Sequence, residues 1–128
     1  MNKKVLAGWI LSALISAFLI LASASGKFVE FEGKDKMFQE LGWGKEVMVK
    51  IGVVEVAIGL LFLIPRTAFV AAILLSAYLG GAVATHVRVD QPFYFPIVMG
   101  VLAWIALGLR DGRVFAMAFG SPSRDSAG

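Results

Sequence analysis

The chain contains no cysteine. That excludes disulfides, thiol redox chemistry and thiolate metal sites together. It carries one histidine, His86, so the usual zinc and haem ligand sets are missing as well. Charge is also scarce: Asp, Glu, Lys and Arg make up 16% of 128 residues and leave a net charge of +3. With a mean hydropathy of +0.81, this composition lies outside that of soluble domains, and an integral membrane protein is expected. The basic residues sit singly between apolar blocks, with no basic stripe interleaved with aromatics, which argues against a nucleic-acid partner. A mildly basic balance is what anionic lipid headgroups favour.

What the chain does have is long apolar runs. Asn2-Lys3-Lys4 precedes a first run from Val5 to Ala24, roughly the 20 residues needed to cross a bilayer. A basic start and the small residues Ala22-Ser23-Ala24 also fit a secretory signal, but the run exceeds the usual 7–15-residue signal core. The first helix is therefore expected to be retained. Val47 to Ile64 forms a second span, stopped by Pro65, and Ala68 to Val87 a third. The polar turn Arg88-Val89-Asp90-Gln91-Pro92 leads to a fourth, from Phe93 or Pro96 to Leu109. Between the first two spans lies a mixed-charge stretch, Ser25 to Glu46. In it Met37, Phe38 and Leu41 share one face of a short amphipathic helix that Gly42 can end. This helix is expected at the membrane interface, with Phe28, Phe31 and Trp43 dipping toward the headgroups; a solvated loop with a few anchors is the alternative.

The expected fold is thus all-α, an integral membrane four-helix bundle with an interfacial helix between helices 1 and 2. Residues 1–113 form the transmembrane domain, and 114–128 a short surface segment with a flexible C-terminal tail. Lys and Arg divide evenly between the two sides. The uncompensated Lys3 and Lys4 beside the first helix decide for both termini on the cytoplasmic side.

Few ionisable groups lie at membrane depth or its edge: Lys50, Glu55, His86 and Arg88. An acid such as Glu55 is costly there unless it faces the bundle interior and finds a partner. Folding the second and third spans about Arg66 sets Glu55 level with Tyr78, and folding the third and fourth about Gln91 brings Trp104 near that level. Gly52, Glu55 and Gly59 share one helix face, as do Tyr78, Ala82, Thr85 and His86. Ala77, Gly80, Gly81 and Ala84 are small enough to let helices approach closely. The candidate ligand-binding residues of this polar seam are Glu55, Tyr78, His86, Arg88 and Trp104. Plainer readings stand beside it: a neutral Glu55 hydrogen-bonded to Tyr78 or Ser16 that only fixes helix register, His86 and Arg88 at a headgroup rim, and Trp104 as bundle packing.

Several of these stretches are similar to one family. Ser25-Gly26-Lys27, Leu41-Gly42, Gly52-x-x-Glu55-x-x-x-Gly59, Ile64-Pro65-x-Thr67, Tyr78 through Arg88 and the closing Leu109-Arg110-Asp111 resemble the DoxX-like family of small bacterial membrane proteins, over about residues 5 to 113. The Tyr78–Arg88 stretch is the most specific. The resemblance implies a four-helix membrane bundle of the bacterial cytoplasmic membrane and an association with redox-linked, quinone-using assemblies. More distant eukaryotic relatives resemble receptor-assembly chaperones. It supplies no catalytic residue set.

Three functions follow as expectations. The first is a non-catalytic accessory subunit that binds a lipophilic molecule such as a quinone in the seam, with the bilayer and other membrane subunits or further copies as partners. The second is an assembly protein without a small-molecule site. The third is an isomerase or hydrolase on a lipophilic substrate using Glu55 or His86 as acid or base, although no nucleophile–base pair stands at useful spacing.

Overall fold

A computed structural model describes residues 2–120. Among them the chain is helical, without strands. Helix α1 runs Lys3–Phe28, with Asn2 capping its start by accepting from the Val5 N–H at 2.8 Å. A short helix α2 follows at Lys34–Leu41, then α3 at Lys45–Leu63, α4 at Ala68–Arg88, α5 at Tyr94–Arg110 and a short α6 at Arg113–Phe119. The expected tail, Ser121 to Gly128, lies outside the described residues.

The helix ends follow local chemistry. Gly42 adopts φ 81° and its N–H bonds to the Gln39 carbonyl while that of Trp43 bonds to Phe38, the paired Schellman closure that stops α2. Ile64-Pro65-Arg66-Thr67 ends α3, with the Thr67 hydroxyl donating back to the Leu61 carbonyl at 2.8 Å. Within α1, Phe18–Ala24 is π-helical, a rare geometry that concentrates at functional sites. The helix then continues past the expected end at Ala24 to Phe28, because Ser25, Gly26 and Lys27 stay in its hydrogen-bonding pattern.

The four long helices close into a ring in which α1 touches α3 and α5, and α4 touches the same two. Large apolar side chains point outward all along it: Leu6, Leu14 and Leu21 on α1, Val53 and Leu60 on α3, Phe69 and Ile73 on α4, and Ile97 and Val101 on α5. Ser12, Ser16 and Glu55 are buried instead. Apolar surface outside and polar groups satisfied inside is the arrangement that lipid selects. By length and composition, α1 and α4 can cross a membrane unaided, and α5 and α6 form a pair bent by 120°. The 17 residues of α5 reach only about 26 Å. Helix α3 is apolar apart from Lys45, Glu46, Lys50 and Glu55, and of these Glu55 is the one buried.

The close approach falls elsewhere than expected. Ala77, Gly80, Gly81 and Ala84 are exposed, and no atom lies within 4 Å of where a Cβ on Gly80 or Gly81 would sit. Gly8, Ser12 and Ser16 on α1 serve instead. A Cβ at Gly8 would stand 2.7 Å from the Arg110 nitrogen and 2.8 Å from the Ala106 oxygen, both backbone atoms, and Ser16 donates to the Gly59 carbonyl at 2.9 Å. Small residues four apart that admit a neighbouring backbone are a usual membrane-helix contact. Gly8→Ala is expected to force α1 from α5 and to lower stability by about 1–3 kcal/mol, whereas Gly80→Ala leaves it unchanged or slightly raised; thermal denaturation of the purified protein in detergent checks both.

Candidate functional site

The C-terminal half of α1 and the N-terminal half of α3 meet at Gly52. A Cβ there would lie 2.8 Å from the Phe28 ring and 3.1 Å from the Lys27 Cβ, so a larger residue would have to displace the Phe28 ring. One turn on, Glu55 is 1% exposed. The Lys27 Nζ donates to its Oε1 at 2.9 Å, and to the Ser23 carbonyl and hydroxyl at 3.1 and 3.2 Å. A buried carboxylate has thus found a full counter-charge, and the ammonium has three acceptors for its three protons. On the other side, Tyr78 borders the same cavity as Glu55 and Ser23.

These groups border a cavity of about 240 Å³. Phe18, Leu19, Met48, Ile51, Phe95 and Met99 give it apolar walls, and Lys27, Glu55, Tyr78 and His86 converge on it. The His86 Nδ1 lies 2.7 Å from the Ala82 carbonyl. A carbonyl can only accept, so Nδ1 holds a proton and donates; in the tautomer with no second proton, Nε2 is an acceptor. The volume falls just under the ~300–1,000 Å³ of ordinary ligand pockets.

A lid closes one end. Leu41, the last residue of α2, and Trp43, just beyond it, line the cavity. The Trp43 Nε1 donates to the Thr85 hydroxyl at 3.3 Å. Arg88 stacks on the Trp43 ring, 4.6 Å from its centroid, and donates to the Leu41 carbonyl at 2.8 Å. Farther along, Glu30 pairs with Lys45 at 2.6 Å and with the buried Lys34 at 3.6 Å.

Of the five residues expected at the seam, Glu55, Tyr78 and His86 come together in this cavity. Arg88 sits at its rim as a clasp on the lid rather than in the wall. Trp104 is elsewhere: its Nε1 donates to the Ser76 hydroxyl at 2.7 Å, its ring meets Phe69 edge-on at 5.8 Å, and it borders a separate groove between α4 and α5. The partner of Glu55 is Lys27, not Ser16. Sequence reasoning missed Lys27 and Ser23 because the first helix was ended too early; the i, i+4 spacing of Ser23 and Lys27 was the available signal.

A family model described as the DoxX-like family matches residues 10–106. The chain belongs to the DoxX-like family. That membership and the outward apolar helices make it a membrane protein. No curated protein and no solved structure matches the chain.

Two outcomes follow from this geometry. Removing one member of a buried ion pair strands the other charge, so Lys27→Met or Glu55→Leu alone should cost about 3–5 kcal/mol, while the double variant costs less than either; unfolding of the three variants in one detergent reads this directly. At the lid, the hydrogen bond from Lys45 holds the Glu30 carboxyl below its ordinary value of 4.5. A pKa lowered on folding contributes stability above the unfolded value and loses it as pH falls through the folded one. Amide protection across residues 34–41 should therefore be level above pH 4.5 and fall in more acidic solution, and Glu30→Gln should remove that dependence.

Proposed function

We propose that this protein is a multi-pass component of the bacterial cytoplasmic membrane that binds the polar head of a lipophilic molecule, of quinone type, beside the Lys27–Glu55 pair. In this reading the four long helices cross the bilayer, α2 lies at the outer interface, and both termini face the cytoplasm. One observation carries the ligand proposal: an apolar cavity of head-group size into which an ammonium, a carboxylate, a phenol and an imidazole converge. A quinone carbonyl accepts a hydrogen bond, which the Tyr78 hydroxyl can donate. A hydroquinone hydroxyl donates, which Glu55 and the His86 Nε2 can accept. The chain encodes no redox centre, so electrons would come from a partner, and its role would be that of an accessory subunit in a redox-linked assembly.

A second reading, assembly with another membrane helix, is favoured by the exposed Ala77, Gly80, Gly81 and Ala84 face, which is open to a neighbouring backbone. One experiment separates the two. Titrating purified protein with a short-tailed quinone and following tryptophan quenching should give a saturable signal, because Trp43 lines the cavity. His86→Ala and Glu55→Gln should raise Kd about tenfold, as expected for losing one buried hydrogen bond of about 1–3 kcal/mol. Gly80→Leu, on the outer face, should leave Kd unchanged. Absence of saturation in the native protein removes the ligand proposal and leaves assembly.

A further inference from the structure

The opposite end of the bundle holds a second polar concavity with different chemistry. Between the α3–α4 turn and the elbow joining α5 to α6 lies a cavity of about 840 Å³, bordered by Arg66, Arg110 and Arg113 together with Trp9, Phe69 and Met117. Three arginines there face one carboxylate, Asp111.

The arginines differ in how they are held. Arg110 is fixed by the fold. Its Nη1 donates to the Phe62 carbonyl at 2.7 Å and to the Ser12 hydroxyl at 3.1 Å, and its guanidinium lies 3.8 Å above the centre of the Trp9 ring. Both of its hydrogen bonds among the described residues use Nη1, leaving Nε and Nη2 as donors. Arg113 makes a two-point pair with Asp111. Arg66 makes no hydrogen bond or ion pair among the described residues. A fixed guanidinium with free donors, bordering one cavity with two further arginines, offers what a phosphate accepts, paired N–H donors from several sides.

The surroundings decide what carries the phosphate. Met117 and Phe69, which border the cavity, are 88% and 53% exposed. Apolar side chains left outside directly beside arginines and a tryptophan describe the boundary between headgroups and acyl chains. We infer that this cavity is a binding site for the phosphate of an anionic phospholipid, with the glycerol and acyl chains running along Phe69 and α6. The site is independent of the proposed quinone cavity, which lies at the other end of the helices.

Native mass spectrometry of the full-length protein, released from detergent with added phosphatidylglycerol or phosphatidylcholine, tests this. The expected result is retention of phosphatidylglycerol in preference to phosphatidylcholine. An arginine near an anionic lipid contributes a factor of about five, so the exposed pair Arg66→Gln/Arg113→Gln should weaken that retention about 25-fold while leaving the thermal midpoint in lipid-free detergent unchanged. Lys3→Gln/Lys4→Gln, which removes charge from the same end but outside the cavity, should leave retention within about twofold. Equal retention of the two lipids, an equal loss in the lysine variant, or displacement of phosphatidylglycerol by millimolar inorganic phosphate would each overturn the inference.

Discussion

A carboxylate that is 1% exposed in an apolar bundle is the constraint around which the rest of this molecule is arranged. Its burial is tolerable because an ammonium reaches it at 2.9 Å, and an ammonium there is tolerable because Ser23 supplies its two remaining acceptors. That pairing in turn requires the first helix to run on to Phe28, to pass through a π-helical stretch from Phe18 to Ala24, and to press against a glycine at position 52. Each of these features is unfavourable or uncommon by itself. Together they satisfy every charge involved, and among the described residues no buried polar side-chain atom is left without a partner.

Polar cross-links also explain which helices are neighbours. In lipid the hydrophobic effect does not choose between one apolar helix face and another, so packing and interhelical hydrogen bonds decide. At one end Arg110 joins α5 to Ser12 of α1 and to the Phe62 carbonyl of α3. In the middle Ser16 joins α1 to the Gly59 carbonyl. Near the other end Lys27 joins α1 to Glu55. Helix α1 is the common member of all three, and its stripe of Gly8, Ser12 and Ser16 is what brings the partners within reach.

The parts of this arrangement that the sequence made legible are those that depend on length or on strong local punctuation. Pro65 ended α3 and Gly42 ended α2 where expected, and level counting across a tight hairpin brought Glu55 and Tyr78 to one height. Height is all that such counting gives. Trp104 was matched by level, but its side of α5 turns it toward Ser76 and Phe69, away from the cavity. The same difficulty hid the true close contact. When lipid-facing and core-facing positions are both apolar, hydropathy has no helical period to reveal the inward side. Gly80 and Gly81 therefore looked as eligible as Gly8, and only the fold tells them apart. Lys27 escaped for another reason: a lysine following an apolar run reads as its end, whereas here it is the last internal partner.

The two ends of the bundle meet the same electrostatic problem with opposite solutions, and that contrast bears on what each can bind. In the wall of the Glu55 cavity the ammonium of Lys27 and the carboxylate of Glu55 are paired with each other, so a neutral head group meets no unpaired charge there, whereas an ion would have to break the pair. At the Arg110 end three arginines and one carboxylate border the cavity, and the excess positive charge stands beside the exposed Met117 and Phe69. An anion is what such a surface lacks, and one attached to acyl chains would cover the apolar side chains at the same time. Charge balance is thus consistent with the two proposals, a neutral guest at one end and an anionic lipid at the other, although the helices between them are almost uniformly apolar.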